Sequence, residues 1–380
     1  MNLVLVTGGA GFIGSRLVPQ LLAGGFAVRV LDPLAPQIHG AVPAGLSWLN
    51  GPDVEFLRGS VALRGDLMPA LQGVSHVVHL AAETGTGQSM YEIARYNEIN
   101  SQGTALLLDI LANERSHTVQ RIVLSSSRSV YGEGAYVCPN CDGGHARVFP
   151  QSRPADQLVR HQWEPLCPTC GHALKAAPTS ESDPVRPASI YAATKYAQED
   201  LVRVACEALG IGYGILRFQN VYGEGQSLKN PYTGILSIMS TRARRGLPLS
   251  IFEDGLESRD FVHVDDVSNA VCRTLETAQP INQVVNVGSG VATSVLEIAT
   301  QLSRALGVEP DLRVTAEYRL GDIRHNVADI TRMKTALGCK PIVPLQLGLQ
   351  RFAQWVLTQS LPEDLLEKAN AELRARKLMG

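Results

Sequence analysis

A tyrosine and a lysine four residues apart are the side chains in this sequence best suited to proton transfer. Tyr191 and Lys195 begin a segment whose apolar residues recur at helical spacing, so both side chains should lie on one helix face. An isolated phenol has a pKa near ~10 and is a poor base at neutral pH. A neighbouring ammonium group favours the phenolate and moves its pKa toward the working range. The pair is therefore predicted to act as one acid–base unit.

A glycine-rich loop close to the start of the chain predicts a dinucleotide site. Gly8, Gly11 and Gly14 follow a short apolar run at residues 3–6 and precede a segment with helical spacing. Glycines at these positions let the backbone turn tightly and approach a pyrophosphate at the helix N-terminus. A second apolar run ends at Asp32, about 20 residues beyond the loop. A carboxylate there accepts hydrogen bonds from the ribose diol of NAD and repels the 2′-phosphate of NADP, so NAD is the predicted cofactor.

The elements that must position these residues alternate along the first half of the chain. Apolar runs at residues 77–82 and 121–124 flank a helical stretch from about residue 93 to residue 113. Strands that alternate with helices are typical of an α/β fold of the Rossmann type, a doubly wound parallel sheet. Ligands bind at the carboxyl ends of such strands, so the small residues at 81–82 and 125–127 are expected to face the cofactor.

The alternation weakens from residue 218 onward, which predicts a smaller C-terminal substrate domain. The sequence there predicts a helix over 232–245 and a strand over 312–318. The tail, 362–380, has apolar residues on one helical face and is predicted to pack or to oligomerise. The predicted division is an NAD-binding Rossmann domain at 1–135 and 183–216, a cysteine-rich insert at 136–182 and a substrate domain at 217–380.

Two Cys-Pro-x-Cys pairs within the insert predict a metal site. They comprise Cys138 with Cys141 and Cys167 with Cys170, and 25 residues separate the pairs. In a reducing compartment such pairs indicate metal binding and not disulfides. Four thiolates close a tetrahedral zinc site without an open position, so the predicted zinc is structural and the insert resembles a zinc ribbon. A loop without metal and an oxidant-sensing thiol cluster are the alternatives.

Composition limits the classes of partner. The 380 residues are 45% hydrophobic and 18% charged, with a net charge of -2, as in ordinary globular proteins. This balance argues against a nucleic-acid-binding surface. No run approaches the ~18 apolar residues of a membrane-spanning helix, so we expect no membrane association and a cytoplasmic location.

The order of these motifs along the chain resembles that of the extended short-chain dehydrogenases/reductases, and specifically of the nucleotide-sugar epimerases. The resemblance covers nearly the whole chain apart from the insert. It implies a tightly bound NAD, a catalytic triad of Ser127, Tyr191 and Lys195, a nucleotide-sugar substrate, and a homodimer formed through the helices around 93–113 and 190–209. Together with the motifs, it gives as cofactor-binding residues Gly8, Gly11, Phe12, Ile13, Gly14, Asp32, Ser60, Val61, Leu80, Ala81, Ala82, Asn100, Tyr191 and Lys195. The substrate-binding residues that it suggests are Thr84, Gln88, Ser127, Arg128, Gln219, Asn220, Arg259 and Arg324, the last three for the diphosphate.

Departures from the family pattern reduce the number of reactions that the site could catalyse. Arg128 and Ser129 stand where the 4,6-dehydratase branch has an Asp-Glu pair, and the Cys/His pair of the fucose-synthase branch has no counterpart. Ser60 replaces the family's aspartate near adenine. What remains is oxidation and re-reduction at one carbon, in which Tyr191 takes the proton of the 4-hydroxyl while hydride leaves C4.

A longer stretch of matching sequence bears on the identity of the sugar. Residues 82–96, the Ser127-Arg128 pair, the insert and residues 226–234 are similar to a bacterial branch of these epimerases that converts dTDP-L-rhamnose into dTDP-6-deoxy-L-talose. The alternatives are a UDP-sugar 4-epimerase, a nucleotide-sugar reductase or dehydrogenase with net redox, and a non-catalytic NAD-sensing regulator whose zinc ribbon binds a partner.

Overall fold

The computed structural model describes residues 2–40, 46–114, 116–228, 230 and 234–380. Its strands are β1 (Leu3–Thr7), β2 (Ala27–Asp32), β3 (Val54–Arg58), β4 (His76–His79), β5 (Arg121–Ser127), β6 (Tyr136–Cys138), β7 (Ala146–Val148), β8 (Lys175–Ala176), β9 (Gly212–Phe218), β10 (Asn220–Tyr222), β11 (Leu249–Ile251), β12 (Ser258–His263), β13 (Gln283–Val287), β14 (Ala292–Ser294), β15 (Leu312–Val314) and β16 (His325–Asn326). Its α-helices are α1 (Phe12–Ala23), α2 (Pro36–His39), α3 (Arg64–Leu71), α4 (Thr86–Ser89), α5 (Ile93–Tyr96), α6 (Gly103–Asn113), α7 (Ala155–Val159), α8 (Ile190–Leu209), α9 (Ile235–Arg244), α10 (Val264–Glu276), α11 (Val295–Ala305), α12 (Thr331–Ala336), α13 (Leu345–Thr358) and α14 (Leu366–Ala375).

A seven-stranded sheet in the order β13-β9-β5-β4-β1-β2-β3 organises the molecule. Every neighbouring pair in it is parallel. Val4, Leu5 and Val6 of β1 have no exposed surface, because apolar layers cover both faces of the sheet. The predicted Rossmann-type parallel sheet is thus confirmed.

The helices form a layer on each face of this sheet. On one face α1 packs against α10, and their apolar residues share a core with β1, β9 and β13. On the other face α3, α6 and α8 pack against β4 and β5. Both layers leave the carboxyl ends of the strands free to carry a site.

The chain after residue 217 contributes to two cores. β13 and α10 belong to the main sheet and its helical layer. A second core lies among α9, α11 and α13. The helix predicted over 232–245 is α9, which begins at Ile235, and residues 231–233 lie outside the described residues. The strand predicted over 312–318 is confined to β15, and the predicted amphipathic tail is α14, in which Ala369 and Leu373 are buried.

The cysteine-rich insert has a small sheet and a core of its own. β6 pairs antiparallel with β7 and β8. Tyr136, Cys138, Cys167 and Leu174 are buried together there. The helical stretch predicted from 93 to 113 is continuous, but a π-helical turn at Asn97–Gln102 joins α5 to α6. Such turns are frequent near functional sites.

Within the described ranges, none of the helices combines the length and apolar character that crossing a bilayer requires.

A buried histidine at the end of β4 makes stability depend on pH. His79 is 1% exposed, and its ring nitrogens lie 2.7 Å from the Thr7 hydroxyl and 2.9 Å from the Thr104 hydroxyl. Burial, with a smaller contribution from Lys195, lowers the pKa of His79 to about 3. Between that value and the ordinary pKa of ~6.5 the unfolded chain binds a proton that the folded chain does not, so stability falls as the pH falls through this range.

We therefore expect the loss of unfolding free energy between about pH 7.5 and pH 5.5 to be about 1.4 kcal/mol smaller in His79→Gln than in the wild type. Urea denaturation at the two pH values measures this difference, whatever the overall stability of the variant. An identical pH dependence in the two proteins would contradict the assignment.

Candidate active site

The loop between β1 and α1 is shaped by glycines that no other residue could replace. Gly8 has φ +69°, and a Cβ on it would lie 2.7 Å from the backbone nitrogen of Ala81. A Cβ on Gly14 would lie 2.2 Å from the carbonyl oxygen of Gly9. The loop therefore packs directly on the end of β4, and α1 begins at Phe12 with its first N–H groups at the carboxyl edge of the sheet. This is the arrangement that binds a pyrophosphate.

A cavity of about 510 Å³ runs along this edge. The predicted cofactor residues that line it are Gly8, Gly11, Phe12, Ile13, Gly14, Asp32, Ser60, Val61, Leu80, Ala81, Ala82, Tyr191 and Lys195. The predicted substrate residues that line it are Thr84, Ser127, Arg128, Gln219 and Asn220. The structure thus brings together residues as distant in the sequence as Gly8 and Asn220.

Asp32 closes the far end of this cavity. Its carboxylate accepts hydrogen bonds from the backbone N–H groups of Ala10 (3.2 Å) and Leu34 (2.8 Å). Burial raises the pKa of Asp32, and these hydrogen bonds and His39 oppose the shift. The carboxylate is thereby held in place with lone pairs available to a ribose diol.

Asn100 lies behind the cavity wall. Its side chain is completely buried in the π-helical turn, accepts a hydrogen bond from the Glu83 N–H (2.8 Å) and donates to the Thr194 hydroxyl (3.0 Å). Asn100 therefore ties the loop after β4 to the first turns of α8. This placement suits a residue that positions the cofactor site without lining it.

Ser127, Tyr191 and Lys195 meet where β5 ends and α8 begins. Ser127 is the last residue of β5, Tyr191 the second residue of α8 and Lys195 one turn further on. The Tyr191 hydroxyl interacts with the hydroxyl of Ser127, and the Tyr191 N–H donates to Ser89 Oγ (3.0 Å). The Ser129 hydroxyl also donates to Ser127 Oγ (2.9 Å). Ser127 and Tyr191 are therefore hydrogen-bonded at the carboxyl edge, and Lys195 lines the same cavity one helical turn from Tyr191.

Burial dominates the electrostatics of this cluster. It raises the pKa of Tyr191, against the opposing effects of the Ser127 hydrogen bond and the Arg128 charge. It lowers the pKa of Lys195 to about 7, against the attraction of Glu199. The sequence-based expectation that Lys195 lowers the Tyr191 pKa differs from this result, because desolvation of the phenolate outweighs the nearby charges.

A second cavity of about 290 Å³ adjoins the first. Arg128 and Asn220 line both cavities, and the Arg128 Nε donates to Asn220 Oδ1 (2.8 Å). Arg259 and Arg319 line the second cavity. Its apolar wall consists of Met90, Ile238, Met239, Leu249, Phe252, Val295, Leu320, Leu366, Leu373 and Leu378.

Two guanidinium groups in this cavity have unused donors. Within the described part of the chain, Arg128 Nη1 and Arg319 Nε are buried without a hydrogen-bond partner. Burial, with repulsion from Arg259, lowers the pKa of Arg128 to about 9. Carboxylates of Glu253, Glu257 and Asp322 also line this cavity, but guanidinium groups with free donors favour an anionic ligand.

Arg324 and Gln88 do not reach either cavity. Arg324 is 1% exposed, and its guanidinium contacts carboxylates of Glu164 (2.8 Å), Glu253 (3.0 Å) and Asp254 (2.7 Å). Its charge is thus neutralised within the protein, so its predicted role at the diphosphate does not fit its position. Gln88 is buried against Gln37, Glu92 and Tyr96 and does not face the sugar as expected. The Arg324 ion pairs and the Gln88–Gln37 hydrogen bond join segments far apart in the sequence, which is why spacing did not reveal them.

Arg319 is the residue that sequence reasoning missed. It stacks on Phe252 at 4.8 Å, and its Nη2 donates to Asn370 Oδ1 (3.0 Å) of α14. Arg319 and Arg324 both lie within three residues of Gly321 and Asp322. No pattern in the sequence distinguishes the two, and only their partners in the fold do.

The four predicted metal ligands come together in the insert. The Sγ atoms of Cys138, Cys141, Cys167 and Cys170 all lie within 4.8 Å of one another. The Cys138–Cys170 and Cys141–Cys167 pairs are 3.4 Å and 3.9 Å apart. A tetrahedral site with Zn–S bonds of about 2.3 Å has sulfur–sulfur edges of about 3.8 Å. The cluster therefore fits a zinc ion.

A glycine loop on a parallel sheet, an acidic β2 end and a Ser-Tyr-Lys cluster at the carboxyl edge define a dinucleotide-dependent enzyme of the short-chain dehydrogenase/reductase type. Residues 4–152 and 168–288 match the NAD dependent epimerase/dehydratase family, and the chain belongs to that family. It is an NAD-dependent nucleotide-sugar epimerase.

Curated and solved relatives span almost the same length. The chain is 38% identical over 358 residues to the dTDP-L-rhamnose 4-epimerase of Burkholderia thailandensis, covering 93% of this chain and 94% of the relative. It is 28% identical to the UDP-glucose 4-epimerase of Thermotoga maritima bound to UDP-glucose, with a TM-score of 0.73 over 93% of this chain and 98% of that one. It is 27% identical to the UDP-glucuronic acid 4-epimerase of Bacillus cereus bound to UDP-glucuronic acid and NAD, with a TM-score of 0.73 over 93% and 99%.

A buried ion pair fixes α8 against the sheet beneath the site. The Glu199 carboxylate accepts from Arg217 Nη2 (2.6 Å) and Nε (2.9 Å) and from the Ser126 hydroxyl, and both charged side chains are 4% exposed. Removing one partner leaves the other charge buried and uncompensated.

We expect Glu199→Gln to lower the free energy of unfolding by about 3 kcal/mol. The matched control on the same helix is Asp200→Asn, whose carboxylate pairs with the half-exposed Arg203 at 3.2 Å and should change stability by less than about 0.5 kcal/mol. Chemical denaturation measures both, and equal effects would contradict the role of the buried pair.

Proposed function

We propose that the protein is a 4-epimerase that interconverts dTDP-L-rhamnose and dTDP-6-deoxy-L-talose. The observation that carries this proposal is the junction of the two cavities at Arg128 and Asn220. Ser127 and Tyr191 line the first cavity, and the guanidinium groups of Arg259 and Arg319 line the second. A sugar joined to a diphosphate has the shape and charge to span it. The Burkholderia relative supports the choice of sugar and nucleotide.

Tyr191 and Ser127 are the groups that we assign to the reacting oxygen. The Tyr191 phenolate removes the proton of the 4-hydroxyl, and the Ser127 hydroxyl donates a hydrogen bond to the same oxygen. Arg128 and the Ser127 hydrogen bond oppose the rise that burial causes in the Tyr191 pKa, so both favour the phenolate. Lys195 holds the nicotinamide ribose and adds positive charge when protonated.

When bound, NAD would supply the hydride acceptor and donor for C4 of the sugar. The residues that would hold it are the glycine loop at the pyrophosphate, Asp32 at the adenosine ribose, and Ser60 and Val61 at the adenine. Asn100 keeps the loop beside the nicotinamide in place.

Arg259 and Arg319 take the diphosphate in this proposal, in place of Arg324. Both guanidinium groups line the second cavity, and guanidinium can pair with a phosphate through two parallel hydrogen bonds. The sugar must turn over between the two hydride transfers. Firm anchoring of the diphosphate with a roomier sugar pocket allows this rotation.

We also propose the domain division given by the sequence, except that β13 and α10 belong to the main sheet and its helical layer. In this proposal the insert is closed by a structural zinc ion on its four cysteines. The homodimer through the helices around 93–113 and 190–209 is part of the proposal. Ile93 (52% exposed) and Val204 (55% exposed) present apolar surface on these helices, which a second copy could cover.

Proton NMR of the purified protein with dTDP-L-rhamnose and no added cofactor tests the reaction. We expect the C4 proton coupling of the talo sugar to appear, because retained NAD ends each turnover unchanged. Tyr191→Phe should keep its NAD and slow the conversion by about 10²-fold or more, because phenylalanine lacks the oxygen that accepts and returns the proton.

The other outcomes separate the alternatives. Conversion of UDP-glucose with dTDP-L-rhamnose left unchanged would favour the UDP-sugar 4-epimerase suggested by the Thermotoga relative. Stoichiometric consumption of added NADH or NADPH would indicate a reductase. An NAD-loaded protein that converts no nucleotide sugar would fit the regulator.

The zinc proposal has a separate measurement. Elemental analysis of protein purified without chelators should find one zinc ion per chain, and Cys138→Ser with Cys141→Ser should remove it. Cys206→Ser, which changes a buried cysteine of α8 outside the cluster, is the control and should retain the metal. Absence of zinc from the wild type, with four thiols titrating freely in the insert, would contradict the assignment.

A further inference from the structure

Both halves of the cysteine cluster contact His325, and one of them also contacts Arg324. On one side Tyr136, two residues before Cys138, accepts a hydrogen bond through its hydroxyl from the His325 N–H (3.1 Å). On the other side Glu164, three residues before Cys167, accepts from Arg324 Nε (2.9 Å) and lies 3.1 Å from His325 Nε2. A metal that joins the two cysteine pairs would therefore fix the spacing of Tyr136 and Glu164.

The loop that carries Glu164 is itself rigidly held inside the insert. Gln157 on α7 is buried, and its Nε2 donates to the carbonyls of Gln162 (2.7 Å) and Glu164 (2.8 Å). Trp163 packs on Tyr318 with ring centroids 6.4 Å apart. The insert thus contacts the segment 318–325 at both of its ends.

A second set of contacts joins the insert to the segment 318–325. Arg153 is 1% exposed, pairs with the Glu253 carboxylate (2.8 Å), and donates to the carbonyl of Asp322 (3.1 Å). Arg324 contacts the same carboxylate at 3.0 Å. These buried charges are fixed by each other, since displacing one leaves its partners uncompensated.

The segment held in this way forms part of the second cavity. Gly321 and Asp322 line it directly. The Arg324 carbonyl accepts hydrogen bonds from the Ser258 N–H (3.1 Å) and from Arg259 Nη1 (3.0 Å). β16, which begins at His325, pairs with β12, which carries Arg259. Contacts therefore run without a break from the cysteines to the guanidinium assigned to the diphosphate.

We propose that the cysteine-closed insert is a positioning element for the nucleotide diphosphate site, so that metal binding to the four cysteines and nucleotide binding to the second cavity strengthen each other. The inference rests on the proposed function, because it takes the second cavity as the diphosphate site. Arg153, Tyr136 and Glu164 are positioning residues, which act on the ligand through Asp322, His325 and Arg324. Thermodynamic linkage requires the effect to be reciprocal.

The first measurement is the dissociation constant of TDP and of UDP, by calorimetry, for the zinc-loaded wild type and for variants. Glu164→Gln removes one of the three carboxylates that pair with Arg324, the one that belongs to the insert. Tyr136→Phe removes the hydroxyl that accepts from the His325 N–H. We expect each to raise the dissociation constant about tenfold, with zinc content and bound NAD unchanged. In turnover the KM should rise while kcat stays within about twofold, because Ser127 and Tyr191 are held by β5 and α8.

Asp156→Asn is the matched control. Its carboxylate also lies in the insert and also pairs with an arginine, Arg160, at 3.0 Å, but both side chains are exposed and neither contacts the segment 318–325. This variant should bind both nucleotides as the wild type does.

The second measurement is the rate at which a chelator removes zinc, followed with a colorimetric zinc indicator. Saturating TDP should slow the removal severalfold in the wild type, and this protection should be lost in Glu164→Gln. Wild-type affinity in both variants, or a removal rate that TDP does not change, would overturn the coupling. A wild type that binds neither TDP nor UDP would overturn the proposed function and the coupling together. Tight binding to the wild type with unchanged variants would overturn the coupling alone.

Discussion

The burial of a parallel sheet on both faces is the constraint on which this structure depends. Once helices cover both faces, polar chemistry can be placed only where the strands end. Four strands end at that edge beside the site. The glycine loop follows β1, Asp32 ends β2, small residues follow β4, and Ser127 ends β5. α8 then adds Tyr191 and Lys195, and the Glu199–Arg217 pair fixes this helix to the sheet. The reacting groups are thus positioned by elements whose own stability comes from apolar burial below the site.

Ion pairing separates the arginines that hold the fold together from those that are available to a ligand. Arg153, Arg217 and Arg324 are paired with carboxylates and hold elements together. Among the described residues Arg128 and Arg319 form no ion pair; they donate to the amides of Asn220 and Asn370, and each keeps a buried donor without a partner. The first kind stabilises the fold only while its partners remain, and the second kind carries an unfavourable energy that an anionic ligand relieves.

Local sequence pattern was sufficient to predict the site residues on the main sheet, but it was insufficient to predict those outside the sheet. The glycine loop, Asp32, Ser127, Tyr191 and Lys195 were predictable because each lies at a fixed offset from a strand or helix whose period is visible in the sequence. The cysteine cluster was predictable because paired ligands recur at short spacing. Arg319, Arg324 and Gln88 were not, because their roles depend on partners from distant segments. The direction of the Tyr191 pKa shift likewise depends on the depth of burial, which spacing does not report.

The position of β13 at the edge of the main sheet affects how the chain folds during synthesis and which fragments of it can fold. β13 covers the edge of β9, yet it is synthesised after β11 and β12, which belong to the neighbouring part of the molecule. A nascent chain or a proteolytic fragment that ends soon after Phe218 would leave β9 as an unpaired edge strand, free to pair with another chain. The cofactor-binding half is therefore not an autonomous folding unit, and its last strand arrives only when most of the polypeptide has left the ribosome.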